Sequence, residues 1–276
     1  MDAELVWKTW RRILREPELH ESVLAGAIDG RAHGLSPEEA RIAADYAAHS
    51  KMTRWAVETY RFRLERGALF ALGTGAPLTL RLLESAGVDT REVARRYLRS
   101  VGYGDDGPHV YRSCAAFLDF LRRHPPSAPV RELVDTIALE STVVSLIRQL
   151  ADAPESSWPA RPSEGEPQPR RYVQSGTGRV VSTTHALASW LAQPELVAAN
   201  TAAAEPEHFL VYVPSVDSDY DIAELSRTAK QLFDALASPR SFDEVRSSLP
   251  PDDDDEHDAA LETFLSLGVV RAEMTS

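Results

Sequence analysis

Apolar residues recur at helical spacing through the first half of the chain, and at strand spacing only after residue 170. Leu5, Trp7, Trp10, Ile13 and Leu14 place one apolar face on a first helix. A second helix is predicted over Glu18 to Ala27, ending at the Asp29-Gly30 turn. Ser36-Pro37-Glu38-Glu39 is a helix start: serine caps, proline suits the first turn and Glu39 can close a capping box. The longest stretch, Lys51 to Leu72, alternates Trp55, Tyr60, Phe62, Leu64, Leu69 and Phe70 with charge. Gly73 to Pro77 breaks the pattern, and shorter helices follow to Leu83 and from Asp89-Thr90 to Val101. His109 to Arg123 and Val130 to Leu150 complete a helical series.

Residues 153–170 then hold five prolines among Ser, Glu and Gly, the composition of a linker. Arg171 to Ser175 and Arg179 to Thr183 read as strands, and Gly176-Thr177-Gly178 between them predicts a hairpin. Thr184 can cap a short helix carrying Leu187, Trp190 and Leu191. From His208 to Met274 the pattern runs strand, strand, helix, helix, helix, strand, the order of a small winged-helix-type unit. The fold class expected is α+β: a helical bundle-like domain over 1–152, a Pro-rich linker over 153–170, and a winged-helix-like α/β domain over 171–276.

Charge changes that picture. The net charge is -12, but residues 1–150 carry 21 Lys+Arg against 20 Asp+Glu, while residues 151–276 carry 9 against 22. An acidic C-terminal domain repels a phosphate backbone, so no nucleic-acid partner is expected. Met1 to Arg12 lacks a basic segment followed by an apolar run, and no apolar run approaches a bilayer span. No membrane partner is expected, and the single cysteine, Cys114, fits a reducing, cytoplasmic setting.

Candidate chemistry is sparse. The eight histidines show no metal-ligand spacing, so no metal and no cofactor are expected on this chain. Gly73-Thr74-Gly75 and Gly102-Tyr103-Gly104 lack the lysine and the strand-to-helix setting of a phosphate loop. No catalytic residue can be nominated. Two surfaces remain. Arg54, Arg61, Arg63 and Arg66 beside Trp55 form either a solvated face laced with ion pairs or a partner interface. Asp219, Tyr220, Asp221 and Ile222 alternate as an edge strand onto which an extended peptide could add, with Leu261, Phe264 and Leu265 as a groove floor or simply as core.

Three segments carry a family resemblance: Trp55-Ala-Val-Glu-Thr-Tyr-Arg-Phe-Arg-Leu64, Ala76-Pro-Leu-Thr-Leu-Arg-Leu-Leu83, and Gly107-Pro-His-Val-Tyr111 with Phe117-Leu-Asp-Phe-Leu121. They resemble the helical half of partner subunits that accompany multinuclear non-haem iron oxidases in the maturation of ribosomally made peptides, as in methanobactin and thia-amino-acid pathways. The resemblance implies a helical domain that docks on a TIM-barrel iron oxidase, and a C-terminal domain, similar to a peptide-recognition element, that binds the precursor's leader. Iron would sit on the oxidase, so the chain itself is expected to be non-catalytic. The alternatives are a winged-helix transcriptional regulator and an all-α metal-dependent oxygenase.

Overall fold

The computed structural model describes residues 2–104, 109–153, 171–215, 217–250 and 254–273. The Pro-rich segment 154–170, Asp105 to Pro108, Asp252, Asp253 and Met274 lie outside them. In chain order the described helices are α1 (Ala3–Arg15), α2 (Pro17–Ala25), α3 (Pro37–Ala48), α4 (Ser50–Gly75), α5 (Pro77–Ser85), α6 (Thr90–Ser100), α7 (Val110–Arg123) and α8 (Leu133–Ala151). Strands β1 (Arg171–Gln174) and β2 (Gly178–Thr183), helix α9 (Ala188–Ala192), and strands β3 (Glu207–Tyr212) and β4 (Asp221–Leu225) follow. Helices α10 (Arg227–Ala235), α11 (Phe242–Arg246) and α12 (Asp254–Ser266) and strand β5 (Val270–Glu273) close the chain. None of the described helices is long and apolar enough to cross a membrane.

The residues cluster into two compact units, one of Met1–Ala71 with Asp89–Ser113, the other of Leu72–Val88 with Cys114–Ser276. In the first, every described regular element is a helix. Ile13 and Leu14 of α1, Leu19 and Val23 of α2, Ala43 of α3 and Val57 of α4 form its core. The local signals are those read from sequence. Ser36 and Glu39 form a reciprocal capping box, and Asp89 accepts the Glu92 N–H at 3.1 Å to start α6. Helix α2 differs: it ends at Gly26, φ 72°, where a side chain would be strained, short of the Ala27 end and Asp29-Gly30 turn expected from sequence.

The second unit is built on the sheet β2-β3-β4, antiparallel throughout, with a separate two-stranded pairing of β1 with β5. Alternation along β3 gives the sheet two buried faces. Leu210 and Tyr212 join a core with Leu232 and Phe233 of α10, Leu261 and Phe264 of α12, and Val270 of β5. Phe209 and Val211 point the other way and are also buried, on the side where α8 packs against β2 and β3. Helix α8 is therefore a layer of the sheet's own unit, and so are α5 and most of α7. The sequence grouped these helices with the N-terminal domain because a helix's periodicity reports that it has a buried face, not which element buries it.

Three local expectations are corrected. β1 and β2 form no hairpin: β1 pairs with β5 and β2 with β3. The connection between them is tied elsewhere, since Ser175 Oγ and Thr177 Oγ1 both donate to the Gly268 carbonyl, at 2.7 and 2.9 Å. Helix α4 runs through Gly73 to Gly75 without a break. A Cβ on Gly75 would lie 2.7 Å from Cys114 Sγ, so glycine there serves a close approach rather than a turn. Thr184 does not cap α9. Glu207 takes the Leu187 and Ala188 N–H groups at that helix start.

Candidate functional site

The proposed edge strand is present two residues later than the sequence suggested. Asp221 and Ile222 open β4, whereas Asp219 and Tyr220 precede it. β4 is the outer strand of its sheet, bonded on one side to β3 in the register Leu210↔Ala223 and Val211↔Ile222. Asp221, Ala223 and Leu225 share the face that carries the α10–α12 core, where Ala223 and Leu225 are partly buried. Ile222 and Glu224 share the opposite face. The Ile222 N–H is taken by the Asp221 carboxylate at 2.8 Å, outside the β3 ladder. The other oxygen of Asp221 accepts from the Tyr212 hydroxyl at 3.1 Å. Burial first, and then this carboxylate, raise the Tyr212 pKa. Asp221 thus occupies a backbone donor that an added strand would use, a common protection of sheet edges.

Of the groove-floor residues, Leu261 and Phe264 are buried core, and Phe264 meets Phe233 edge-on at 5.4 Å. Leu265 is half-buried against the same cluster. Their place is behind β4 in the packed interior. The surface near the strand's end comes instead from the start of α12: the Ser226 hydroxyl, just after β4, donates to Glu256. Asp258, two residues on, pairs with Arg246 at 2.9 Å. His257 between them is 1% exposed, and neither ring nitrogen has a partner among the described residues.

The arginine face of α4 divides. Arg54, Arg63 and Arg66 are exposed, and Trp55 is 69% exposed. Arg61 is engaged internally, donating to the Leu14 carbonyl at 3.0 Å and stacking 4.5 Å from the Tyr103 ring centre. It belongs to the structure of its unit. Arg66 lies 5.9 Å from the Phe62 ring.

The titratable groups that sequence reasoning missed are four carboxylates of the second unit, each turned onto backbone N–H groups. Asp135 accepts from the Thr184 and His185 N–H groups at 3.0 Å each, and from the Thr184 hydroxyl at 2.8 Å. His185 Nδ1 stands 2.7 Å from the same oxygen. Glu132 holds the Asn200 and Ala202 N–H groups, at 3.1 and 3.3 Å. Glu207 starts α9. Glu140 accepts from Leu78 and Thr79 at the start of α5, at 2.7 and 2.9 Å. Burial pushes the Glu140 pKa up to about 7 against the pull of those donors. Burial, with Glu140 adding to it, also pushes the Cys114 thiol up to about 12, which removes it as a nucleophile. The Asp135–His185 pair has the geometry that orients a general base, but Asp135 spends its other contacts holding a turn. No group of three or more metal-ligating side chains converges among the described residues.

No protein-family model and no curated protein matches this sequence.

Proposed function

We propose that the chain is a non-catalytic partner protein. In this reading it binds the leader of a ribosomally made precursor peptide on the outer edge of β4 and presents it to an iron-dependent oxidase. The oxidase docks on the exposed aromatic and basic surface of the helical unit, and both act in the cytoplasm. Iron and the oxidation chemistry belong to that partner.

The observation that carries this reading is β4. It is an outer strand whose free side has one backbone donor shielded only by its neighbour's carboxylate. Main-chain pairing along such an edge supplies affinity, and alternate side chains supply selectivity. The first turns of α12 add Asp255, Glu256 and Asp258 at one end of the strand. That charge suits a peptide with basic residues and opposes DNA phosphates, which disfavours a winged-helix regulator. Tethering the precursor raises the effective concentration of its modifiable segment at the oxidase. The test is a titration of the chain with the leader of a precursor encoded beside it, together with a pull-down of the neighbouring oxidase. Saturable binding of both is expected. Binding of neither would exclude the reading.

A further inference from the structure

The helical unit holds an open cavity of about 870 Å³ between α1, α3 and α4. Each helix offers it one stripe at one-turn spacing: Val6, Trp7 and Trp10 from α1, Ile42 and Tyr46 from α3, Met52 and Trp55 from α4. Trp10 and Tyr46 pack against each other at 5.2 Å and make a firm floor. At the mouth, Trp7, Met52 and Trp55 are 51%, 71% and 69% exposed. Large apolar side chains clustered in this way, away from the core, mark a contact surface.

We propose that this groove receives one amphipathic helix of a partner protein, with acidic residues flanking the helix's apolar stripe. Two observations select that occupant. The walls are helical side chains, and the described part of this unit has no strand edge. An extended segment lying there would leave its own N–H and C=O groups without partners, whereas a helix satisfies them internally. The rim sets the charge. Arg11 and Arg15 follow Trp7 along α1, and with it line an adjoining recess. Lys51 and Arg54 flank Met52 and Trp55 on α4. None of these four cations makes an ion pair or hydrogen bond with a described residue, whereas Lys8 and Arg12 on the same α1 are paired with Glu39 and Glu16. Asp45 is the single carboxylate among the lining residues. The groove lies in the helical unit and stands independently of peptide capture at β4.

The test uses the full chain and two designed helical peptides of about 14 residues, or four turns. Both carry leucine at i, i+3, i+4 and i+7. One has glutamates beside the stripe, the other lysines. Calorimetric titration is expected to show the glutamate peptide binding at least about tenfold more tightly at low salt, with the preference shrinking as salt rises. Trp55→Ala should weaken it about thirtyfold, as for a central aromatic anchor. Lys51→Glu with Arg54→Glu should reverse the preference, while circular dichroism stays unchanged because all three positions are exposed. Equal affinity for the two peptides, or no binding of either, overturns the proposal. So does a concentration-dependent dimer abolished by Trp55→Ala, which would make a second copy the occupant. Tight uptake of a fatty acid that blocks the peptide would make it a small-molecule site, and would also overturn the proposal.

Discussion

In the helical unit, Trp7, Met52 and Trp55 stand more than half exposed, while in the sheet-containing unit Trp190, Phe209 and Phe264 are at 3% or less. Charge is distributed in the opposite sense. The helical unit has 16 Lys+Arg and 15 Asp+Glu, the other 14 and 27. Three of its carboxylates are nonetheless drawn inward, Glu132, Asp135 and Glu140, each at 5% exposure or below. The difference teaches what each kind of residue is for. Exposed aromatics on a well-packed helical core leave an apolar surface open to contact. Buried carboxylates that hold backbone N–H groups fasten connections and helix starts, and they should be judged as structure before they are judged as catalysts.

The sharpest way to break this contrast is to delete a tryptophan from each side. Trp190→Ala removes a buried ring and is expected to cost about 3–5 kcal/mol in urea unfolding. The pH dependence comes next. Because the folded pKa of Glu140 is raised to about 7, its contribution is fully present below the ordinary carboxylate pKa and is lost as pH rises through 7. Stability should fall by about 3 kcal/mol between roughly pH 4.5 and 8 on this account. Glu140→Gln should remove that part of the slope, and an unchanged slope would show that the carboxyl stays ionised. Asp135→Ala removes the acceptor of the partly buried Thr184 and His185 N–H groups and should cost about 1–2 kcal/mol. A negligible change would mean that solvent reaches that turn. The smallest effect is Trp55→Ala, within about 0.5 kcal/mol of the parent. A loss comparable with Trp190→Ala would erase the distinction between the two units.

Much of the local structure was legible, because caps, breakers and periodicity act over a few residues. The capping boxes at Ser36 and Ser241, the Gly268 stop with φ 71°, and the strand, strand, helix, helix, helix, strand order after residue 206 all follow from such signals. What failed was pairing at a distance. Nothing near Arg171 announces that its strand partner is Glu273, and the Gly-Thr-Gly between β1 and β2 mimics a hairpin turn. Asp135 and Glu140 sit on the buried side of α8, where an anion is out of place, and that was the available clue. Their partners lie 49 and 61 or more residues away, beyond any spacing rule. At the candidate sites, the acidic edge strand could be read from alternation and charge. The aromatic groove could not, since Trp7, Tyr46 and Trp55 converge only after three helices pack. Arg61 looked like its neighbours in sequence but is held by Leu14 and Tyr103.

The most direct test of peptide capture is amide hydrogen exchange across the β2-β3-β4 sheet with and without a saturating leader peptide. New protection is expected on β4, at Ile222 and Glu224, with β2 unchanged and the Asp221 hold on Ile222 replaced by the peptide. Binding that protects no β4 amide would contradict strand addition and place the peptide elsewhere.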